Sequence, residues 1–571
     1  MPTVAVLLAW GALGAVLVGC GYLVRSALVQ MLDRERHEWV RLADFWVGLT
    51  VLVTYLAVWN LWRPVNSVAW LVPMVVGGAG WLVAMRKHTH RIRSTSWLTV
   101  ALGGVAAVWL ANRSLLGPWE YDSGMYHLSA VDYASAFPTI PGLANLHSRL
   151  GAGVPHFLFT AFSGSGPWSG GGHHLANGLL TLMLIADLGN RAIEGFESRT
   201  ARTYTWRFAT LLLPAVLSVV AVDTGRRISS PNIDIATFFF VVVGSVYLAE
   251  AVENWNESAA LISVCAFSLA VVNRPFYAPA LIAASIAIVL AARRVRVDVR
   301  GLMRTIVVLA IVPALLFVSW MARQAVLSGY PLFPLSIGGL PVDWRLPEPV
   351  LADANRWVRS WARTPGEPPK AVLANWGWLS GWARVRLTDS NLLGPAIAAV
   401  CVSATILRRR TPRGQSSGIH VAPLIAVLVP VALTFVVWFV GAPDPRFVYA
   451  PLWIAPIALL AWLLPDVSEP RGVQATAVVL GVLALLTVGF IGVGHAYHPI
   501  RANGPGPFGA AELGQPRVQE VVTVSGLRIW RPISGDQCWT LRLCTPEPLR
   551  GLTLRGATVR SGFRYRYLSH G

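Results

Sequence analysis

Long apolar runs separated by short polar loops recur along nearly the whole chain. A helix needs about 20 mainly apolar residues to cross the hydrocarbon core of a bilayer, and fourteen runs come close to that length. They lie near residues 3–23, 43–62, 66–85, 96–112, 173–190, 206–222, 233–250, 258–272, 276–292, 303–321, 391–407, 420–440, 447–464 and 474–494. The pattern predicts an all-α polytopic membrane protein with about fourteen transmembrane helices.

The composition agrees with this assignment. Of the 571 residues, 54% are hydrophobic and only 13% are charged, whereas soluble domains carry about 25% charged residues. A soluble protein of this length would need charged surfaces around two or more domains. The chain has too few charges for that, so lipid is expected to be its main solvent.

The basic residues predict the orientation of the chain, whose formal net charge is +19. Cytoplasmic loops of membrane proteins are enriched in Lys and Arg. Alternate short loops carry such clusters: Arg34, Arg36 and Arg41; Arg86, Lys87, Arg91 and Arg93; Arg191, Arg199 and Arg202; Arg293, Arg294, Arg296 and Arg300; Arg408, Arg409, Arg410 and Arg413. Threading fourteen spans puts every cluster on one side, so both termini are predicted to be extracytoplasmic. Basic residues without a base-reading module do not indicate nucleic-acid binding.

Three long polar segments then lie outside the cytoplasm, namely residues 113–172, residues 322–390 and the tail 495–571. Alternation in the tail, as in GLRIWRPI and LTLRGATVR, predicts a small β-rich unit. Cys538 and Cys544 lie in this tail. An extracytoplasmic location favours a disulfide between them.

The first outer segment contains the sequence WEYDSGMYH, in which Glu120, Asp122 and His127 follow directly on a predicted span. Acids at a membrane interface serve as general bases or as metal ligands. The alternative is a solvated loop start with an N-cap at Asp122 or Ser123.

Four further polar residues lie on the same predicted side. His147 and Arg149, in PGLANLHSRLG, are candidates to bind phosphate because Arg pairs with phosphate in a bidentate fork. Asp234, in ISSPNID, is either a helix cap or a polar residue used in the outer leaflet. Arg274, in NRP, is either part of a simple turn or a ligand for the same phosphate.

The remaining candidates belong to the later outer loops. Tyr330, in SGYPLFP, and Asp343, before Trp344, begin a loop rich in proline and tryptophan. Such a loop is typical of an interfacial aromatic belt, and it also suits a substrate groove. Arg446, in GAPDPRF, leads into an apolar run, where an arginine either snorkels or binds an anionic lipid head group.

Together these motifs resemble one family. YDSGMYH, PGLANLHSRLG, ISSPNID, SGYPLFP with a following DW, APDPRF and the tail's QCWTLRLCTP run from about residue 115 to 565. They resemble a group of largely uncharacterised multispan bacterial membrane proteins. The layout also resembles the type C (GT-C) glycosyltransferases, such as protein mannosyltransferases and aminoarabinose transferases.

The GT-C resemblance implies a domain arrangement. Residues 1–95 form three additional N-terminal transmembrane helices, residues 96–494 form a GT-C-like core with outer loops 113–172 and 322–390, and residues 495–571 form the extracytoplasmic tail. Asp122 takes the position of the catalytic acid. The sequence departs from the adjacent acidic pair of those enzymes, because Glu120 and Asp122 are separated by one residue.

The function implied is transfer of a sugar from a polyprenyl-phosphate donor to an extracytoplasmic glycan or lipid-linked acceptor at the bacterial inner (plasma) membrane. Asp122 would be the base, and Arg446, with Arg149 or Arg274, would hold the phosphate. Asp234 would orient the acceptor or bind a divalent cation, which the motifs allow but do not require. The alternatives are a transporter or flippase of lipid-linked glycans and a non-catalytic factor for envelope-polysaccharide assembly.

The topology can be tested by cysteine labelling. In intact cells, a cysteine introduced at Pro365 should react with an impermeant thiol reagent, whereas one at Arg410 should react only after permeabilisation. Labelling with the opposite sidedness would place the acidic motif in the cytoplasm and contradict the orientation.

Overall fold

The computed structural model describes residues 2–32, 39–87, 97–118, 120–197, 203–222, 227–296, 298–408, 421–464 and 513–566. These residues are mostly helical and contain eighteen α-helices. The helices are α1 Pro2–Leu32, α2 Asp44–Trp59, α3 Leu71–Lys87, α4 Trp97–Ser114, α5 Leu128–Ala136, α6 Pro155–Ser163, α7 Gly172–Glu197, α8 Tyr204–Val222, α9 Ile233–Glu253, α10 Glu257–Asn273, α11 Ala278–Val295, α12 Val299–Ser328, α13 Glu348–Arg363, α14 Pro369–Val372, α15 Trp378–Leu387, α16 Ser390–Arg408, α17 Val421–Gly441 and α18 Tyr449–Leu463.

Thirteen of the fourteen predicted apolar runs coincide with one of these helices, and the run at 474–494 lies outside the described residues. Seven helical segments are long and apolar enough to cross a membrane by length and composition: Pro2–Leu32, Ser67–Lys87, Ile233–Glu253, Pro275–Val295, Val299–Ser328, Val421–Gly441 and Pro445–Leu463. Four shorter apolar helices accompany them. The chain therefore has the helices of a membrane protein, while the count of fourteen spans stays a prediction.

The N-terminal helices approach each other closely at glycines. A Cβ on Gly48 of α2 would lie 1.9 Å from the carbonyl oxygen of Leu17 in α1, and a Cβ on Gly21 would lie 1.8 Å from that of Asp44. Small residues allow such backbone contact, which is a main source of association between helices in lipid. The glycines thus fix the spacing of α1 and α2.

One end of the bundle is held by buried or half-buried ion pairs. Arg25 of α1 pairs with Asp44 of α2, and both side chains are fully buried. Arg191 of α7 lies 2.7 Å from Glu250 of α9. The sequence predicts that this end faces the cytoplasm.

The opposite end carries the connections before α5, α9, α11 and α18 and is covered by the C-terminal tail. The tail contains two antiparallel hairpins, β1 Val518–Val522 with β2 Arg528–Pro532, and β3 Leu552–Leu554 with β4 Phe563–Tyr565. The small β-containing tail is therefore confirmed.

The tail covers part of α5. Arg542 forms an ion pair with Asp132 of α5 at 2.6 Å, and the amide of Leu543 donates to the Tyr133 hydroxyl at 3.0 Å. These contacts attach the tail to the helix that follows the acidic motif.

The glycine contact predicts a measurable loss of stability. Gly48→Ala forces a methyl group into the Leu17 carbonyl, and overpacking of this kind costs about 1–3 kcal/mol. The thermal unfolding midpoint of the detergent-purified protein should fall. Gly11→Ala is the matched control, since a Cβ on Gly11 would meet no atom within 4 Å. Equal midpoints for the two variants would show that α1 and α2 do not pack through Gly48.

Candidate active site

The acidic motif lies in a locally distorted helix. Ser123–His127 form a single π-helical turn that continues into α5, and such turns are frequent at functional sites. Asp122 immediately precedes the turn, and its side chain is only 10% exposed. The turn thus holds a carboxylate in a mostly water-excluded position at the end of the bundle opposite the Arg25–Asp44 pair.

Arg446 approaches Asp122 from the connection between α17 and α18. Its Nη1 lies 3.4 Å from Asp122 Oδ2. The short helical turn that carries Arg446 is capped by Asp444, whose Oδ1 accepts a hydrogen bond from the Arg446 amide at 3.1 Å. Asp444 Oδ2 also lies 3.4 Å from Arg446 Nε, so two carboxylates balance this guanidinium.

A second ion pair lies beside the first. Arg274 Nε donates to Asp234 Oδ1 at 2.8 Å. The cap of α9 is Asn232, whose side chain accepts from the amides of residues 234 and 235, so the Asp234 carboxylate is left to bind Arg274. Phe447 joins the two pairs, because its ring centroid lies 4.7 Å from the Arg274 guanidinium carbon and 5.0 Å from that of Arg446.

The charges around Asp122 determine its protonation. Burial alone would raise the pKa of this carboxyl, but the nearby positive charges outweigh burial and lower it below its usual value. The groups that are charged at neutral pH are the guanidinium groups of Arg446, Arg149 and Arg274, with Arg446 contributing most. Asp122 is therefore ionised at neutral pH and able to accept a proton.

Arg446 is affected in the opposite direction by the same cluster. Burial would lower the pKa of its guanidinium, but the carboxylates of Asp234, Asp122, Asp444 and Glu120 raise it above its usual value. The charges of Asp234 and Glu120 therefore act on Arg446 from a distance, whereas Asp122 and Asp444 contact it directly.

His127 is a neutral histidine inside this charged centre. The residue is 1% exposed, and burial lowers its pKa to about 4 despite the nearby carboxylates. Neither ring nitrogen has a hydrogen-bond partner within the described part of the chain. Its ring lies 4.4 Å from that of Tyr126, over which Arg149 places its guanidinium at 5.5 Å. The neutral His127 ring can therefore donate one hydrogen bond and accept another.

The structure thus brings together seven of the predicted residues: Glu120, Asp122, His127, Arg149, Asp234, Arg274 and Arg446. It does not bring Tyr330 and Asp343 to the centre. The Tyr330 hydroxyl donates to the Leu346 carbonyl at 3.0 Å, which closes its own loop. Asp343 accepts from Arg555 at 3.1 Å and thereby anchors the tail.

His147 shapes the loop next to the site. Its Nδ1 accepts a hydrogen bond from the Arg149 amide at 3.2 Å and caps a short helical turn. Burial lowers the pKa of His147 to about 3, so the ring is neutral. Its contact is with the backbone of Arg149, whose side chain extends towards the centre.

The chain matches one protein family, and the function of that family is unknown. A family model described as a domain of unknown function (DUF8201) matches residues 4–453. The chain belongs to this family. The matched range contains Asp122, Asp234, Arg274 and Arg446. No curated protein and no solved structure matches the chain.

The tail of this DUF8201 protein lies beyond the matched range, yet it contacts the acidic motif directly. The carbonyl of Gly124 accepts hydrogen bonds from the amides of Cys538 at 2.8 Å and Trp539 at 2.7 Å. The Tyr121 hydroxyl donates to Asp536 at 2.5 Å. A Cβ on Gly124 would lie 2.9 Å from the Trp539 ring, so glycine suits this contact.

A disulfide joins Cys538 and Cys544 and closes the tail segment that touches the motif. The sequence predicted the disulfide itself, but it did not predict that this segment touches the motif, nor that Asn232, Asp444 and Phe447 belong to the site. Asp444 had a detectable signal, since Asp before Pro is a common way to begin a helical turn. Nothing in the sequence indicated which tail residues meet which loop.

No group of three or more His, Cys, Asp or Glu side chains suited to a metal ion occurs among the residues that the structure describes. Asp122 and Asp234 are each directed to an arginine. The arrangement fits an anionic ligand held by guanidinium groups better than a cation held by carboxylates alone.

The disulfide should control the order of the acidic motif. Replacing Cys538 and Cys544 by Ser removes a crosslink that contributes about 2 kcal/mol for so short a loop. Amide hydrogen exchange should then accelerate both in residues 538–544 and in residues 121–133. Cys401→Ser, which alters a free cysteine, is the control. Faster exchange confined to residues 538–544 would show that the tail does not order the motif.

Proposed function

We propose that this protein is an integral-membrane glycosyltransferase with a GT-C-like layout. It transfers a sugar from a polyprenyl-phosphate donor to an extracytoplasmic acceptor of the cell envelope. The observation that carries the proposal is the ionised, nearly buried Asp122 beside Arg446, in a centre of two guanidinium–carboxylate pairs at the end of an apolar helix bundle.

Asp122 is the base in this proposal. The acceptor hydroxyl oxygen attacks the anomeric carbon of the donor sugar, and the bond from that carbon to the phosphate oxygen breaks. The electron pair leaves with the polyprenyl phosphate, and the hydroxyl proton passes to Asp122 Oδ1 or Oδ2. A carboxylate within hydrogen-bond reach of the hydroxyl is what such a step needs.

The guanidinium groups stabilise the leaving group. Negative charge grows on the phosphate oxygen as the bond breaks, and preorganised positive groups stabilise that charge most effectively where water is excluded. Arg446 is available to the phosphate because its side chain is 30% exposed and its contact with Asp122 is long, at 3.4 Å. Arg274 and Arg149 lie close enough to share the charge.

Donor binding would also strengthen the base. The phosphate would compete with Asp122 for Arg446, and the loss of that positive charge raises the pKa of the carboxyl. Asp122 would then be a weak base in the empty site and a stronger one when the donor is present. As long as Arg446 stays with Asp122, before the donor binds, the low pKa of Asp122 would keep this carboxylate from taking up a proton.

The proposal includes the membrane arrangement. Fourteen spans with both termini extracytoplasmic place the centre at the outer surface of the bacterial inner membrane, where a polyprenyl chain can remain in lipid. The helices of residues 1–95 precede the core of 96–494. Asp234 orients the acceptor or shares a divalent cation with the donor phosphate, and Glu120 adds negative charge near Arg446.

The decisive variant is Asp122→Asn. It keeps the shape of the side chain but removes the proton acceptor, and a general base contributes about 10²–10⁴-fold in rate. Transfer of radiolabelled sugar from a polyprenyl-phosphate donor by the purified protein should fall by that factor. Asp132→Asn is the matched control, because Asp132 lies in the adjacent helix and pairs with Arg542 outside the centre; its activity should stay near wild type.

Arg446→Ala in the same assay should act on donor binding. Loss of a charged hydrogen bond costs about 1.5–3 kcal/mol, which appears as a higher KM for the donor. Wild-type transfer by Asp122→Asn would exclude Asp122 as the base. Wild-type protein that moves lipid-linked glycan between leaflets without transfer would instead identify a flippase.

A further inference from the structure

A cleft of about 500 Å³ lies next to the proposed centre. The proton transfer and phosphate binding assigned above place no substrate in this cleft. Its walls come from three distant parts of the chain: the loop 144–149, residues 349–358 of α13 and its start, and tail residues 536–549. The volume falls within the range of about 300–1,000 Å³ that is typical of small-molecule sites.

The cleft opens towards the acidic motif. Met125, which belongs to the π-helical turn after Asp122, lines it, and so does Arg149. Arg149 places its guanidinium 5.5 Å from the centroid of the Tyr126 ring, and its charge also acts on Asp122. The cleft therefore adjoins the segment that carries Asp122.

The lining combines apolar faces with polar groups. Trp357 contributes a large aromatic side chain that is 41% exposed, and Val350 and Leu549 add aliphatic surface. Ser148 and Thr545 bring hydroxyl groups to the same walls. A sugar ring presents C–H faces and hydroxyl edges, so it matches this mixture, whereas a polyprenyl chain would leave the polar groups unsatisfied.

The loop wall also has unused hydrogen-bonding capacity. Asn145 Oδ1 and His147 Nε2 belong to lining residues, are buried, and have no partner among the described residues. Buried polar atoms without partners are uncommon in proteins. Ligand hydroxyl groups would satisfy them after small shifts of the side chains.

The charges of the cleft disfavour an anion. Three carboxylates line it, those of Asp353, Asp536 and Glu547, against the two guanidinium groups of Arg149 and Arg356. Arg356 is already paired with Asp353 at 3.0 Å. The carboxylates outnumber the guanidinium groups in this lining, which disfavours an acidic glycan in the cleft.

We infer that the cleft between the 144–149 loop, α13 and the tail binds the acceptor, and that the acceptor is a chain of neutral sugars. This inference rests on the proposed function, because it takes the bound chain as the source of the hydroxyl that reaches Asp122. Trp357 stacks on a sugar face, and Glu547 accepts hydrogen bonds from its hydroxyl groups.

Binding can be measured without catalysis. The probe is a panel of neutral tri- to pentasaccharides of mannose, glucose, galactose or arabinose, presented to the purified full chain in nanodiscs and followed by saturation-transfer NMR. At least one member should bind to the wild type. Trp357→Ala and Glu547→Ala should each weaken that binding about tenfold or more, as expected for loss of a charged hydrogen bond or a comparable contact.

A control variant tests whether binding depends on the cleft itself. Trp361→Ala removes an exposed tryptophan of the same helix that does not line the cleft, and this variant should bind the saccharide like the wild type. Binding that is lost only in the cleft variants supports the inference even if Asp122→Asn transfers sugar normally. Absence of neutral-saccharide binding, selective binding of acidic saccharides, or unchanged affinity in Trp357→Ala and Glu547→Ala would overturn it, and the transfer assay would still judge the proposed function by itself.

Discussion

The ion pair between Asp122 and Arg446 is the interaction on which the predicted outer end of this protein depends. It joins residues 324 positions apart. Asp122 is only 10% exposed, so its charge needs a positive partner inside the protein, whereas Arg446 is also paired with Asp444. The pair therefore fixes the connection between α17 and α18 against the acidic motif that follows α4. Phe447 extends this connection to Arg274 and Asp234, which brings the ends of α9 and α10 to the same place.

Arg25 and the centre around Asp122 differ in how fully their polar atoms are bonded. At the predicted cytoplasmic end, Arg25 donates to Asp44, to the Ser258 hydroxyl at 3.1 Å and to the Trp39 carbonyl at 2.8 Å. That guanidinium is well satisfied, as a purely structural role requires. At the predicted outer end, both ring nitrogens of the buried His127 lack a hydrogen-bond partner within the described residues. Two unsatisfied nitrogens in a buried, charged centre are costly unless a ligand completes them, which favours a functional role for this cluster.

The helices and most of the residues that form the site could be predicted from the sequence. The positions of those residues relative to one another could not. Apolar runs locate helices because length and hydropathy are local properties, and thirteen runs became helices. Alternating arginine clusters assign motifs to one side of the membrane, which explains why Asp122, Asp234, Arg274 and Arg446 could be grouped in advance. Sharing a side restricts residues to a layer, but it does not give their positions within that layer. Tyr330 and Asp343 lie in the same layer and are used to close a loop and to anchor the tail. Lateral position depends on the order in which helices pack, and no spacing in the chain encodes that order.

The tail contacts were also beyond sequence reasoning, and they bear directly on how a base would be held. Trp539 and Leu543 adopt left-handed backbone conformations with φ of 51° and 54°, which is unfavourable for residues with bulky side chains. Such strain persists only where the surroundings over-determine the conformation. Here the surroundings are the disulfide at Cys538 and Cys544 and the hydrogen bonds to Gly124 and Tyr133. The motif is therefore held from two sides, by its own helix and by the tail. A base works best when its geometry is fixed before the substrate arrives, since misplacement by about 1 Å can cost a hundredfold in rate. The strained tail loop therefore helps to hold Asp122 in place. It supplies rigidity that the widened π-helical turn alone would lack.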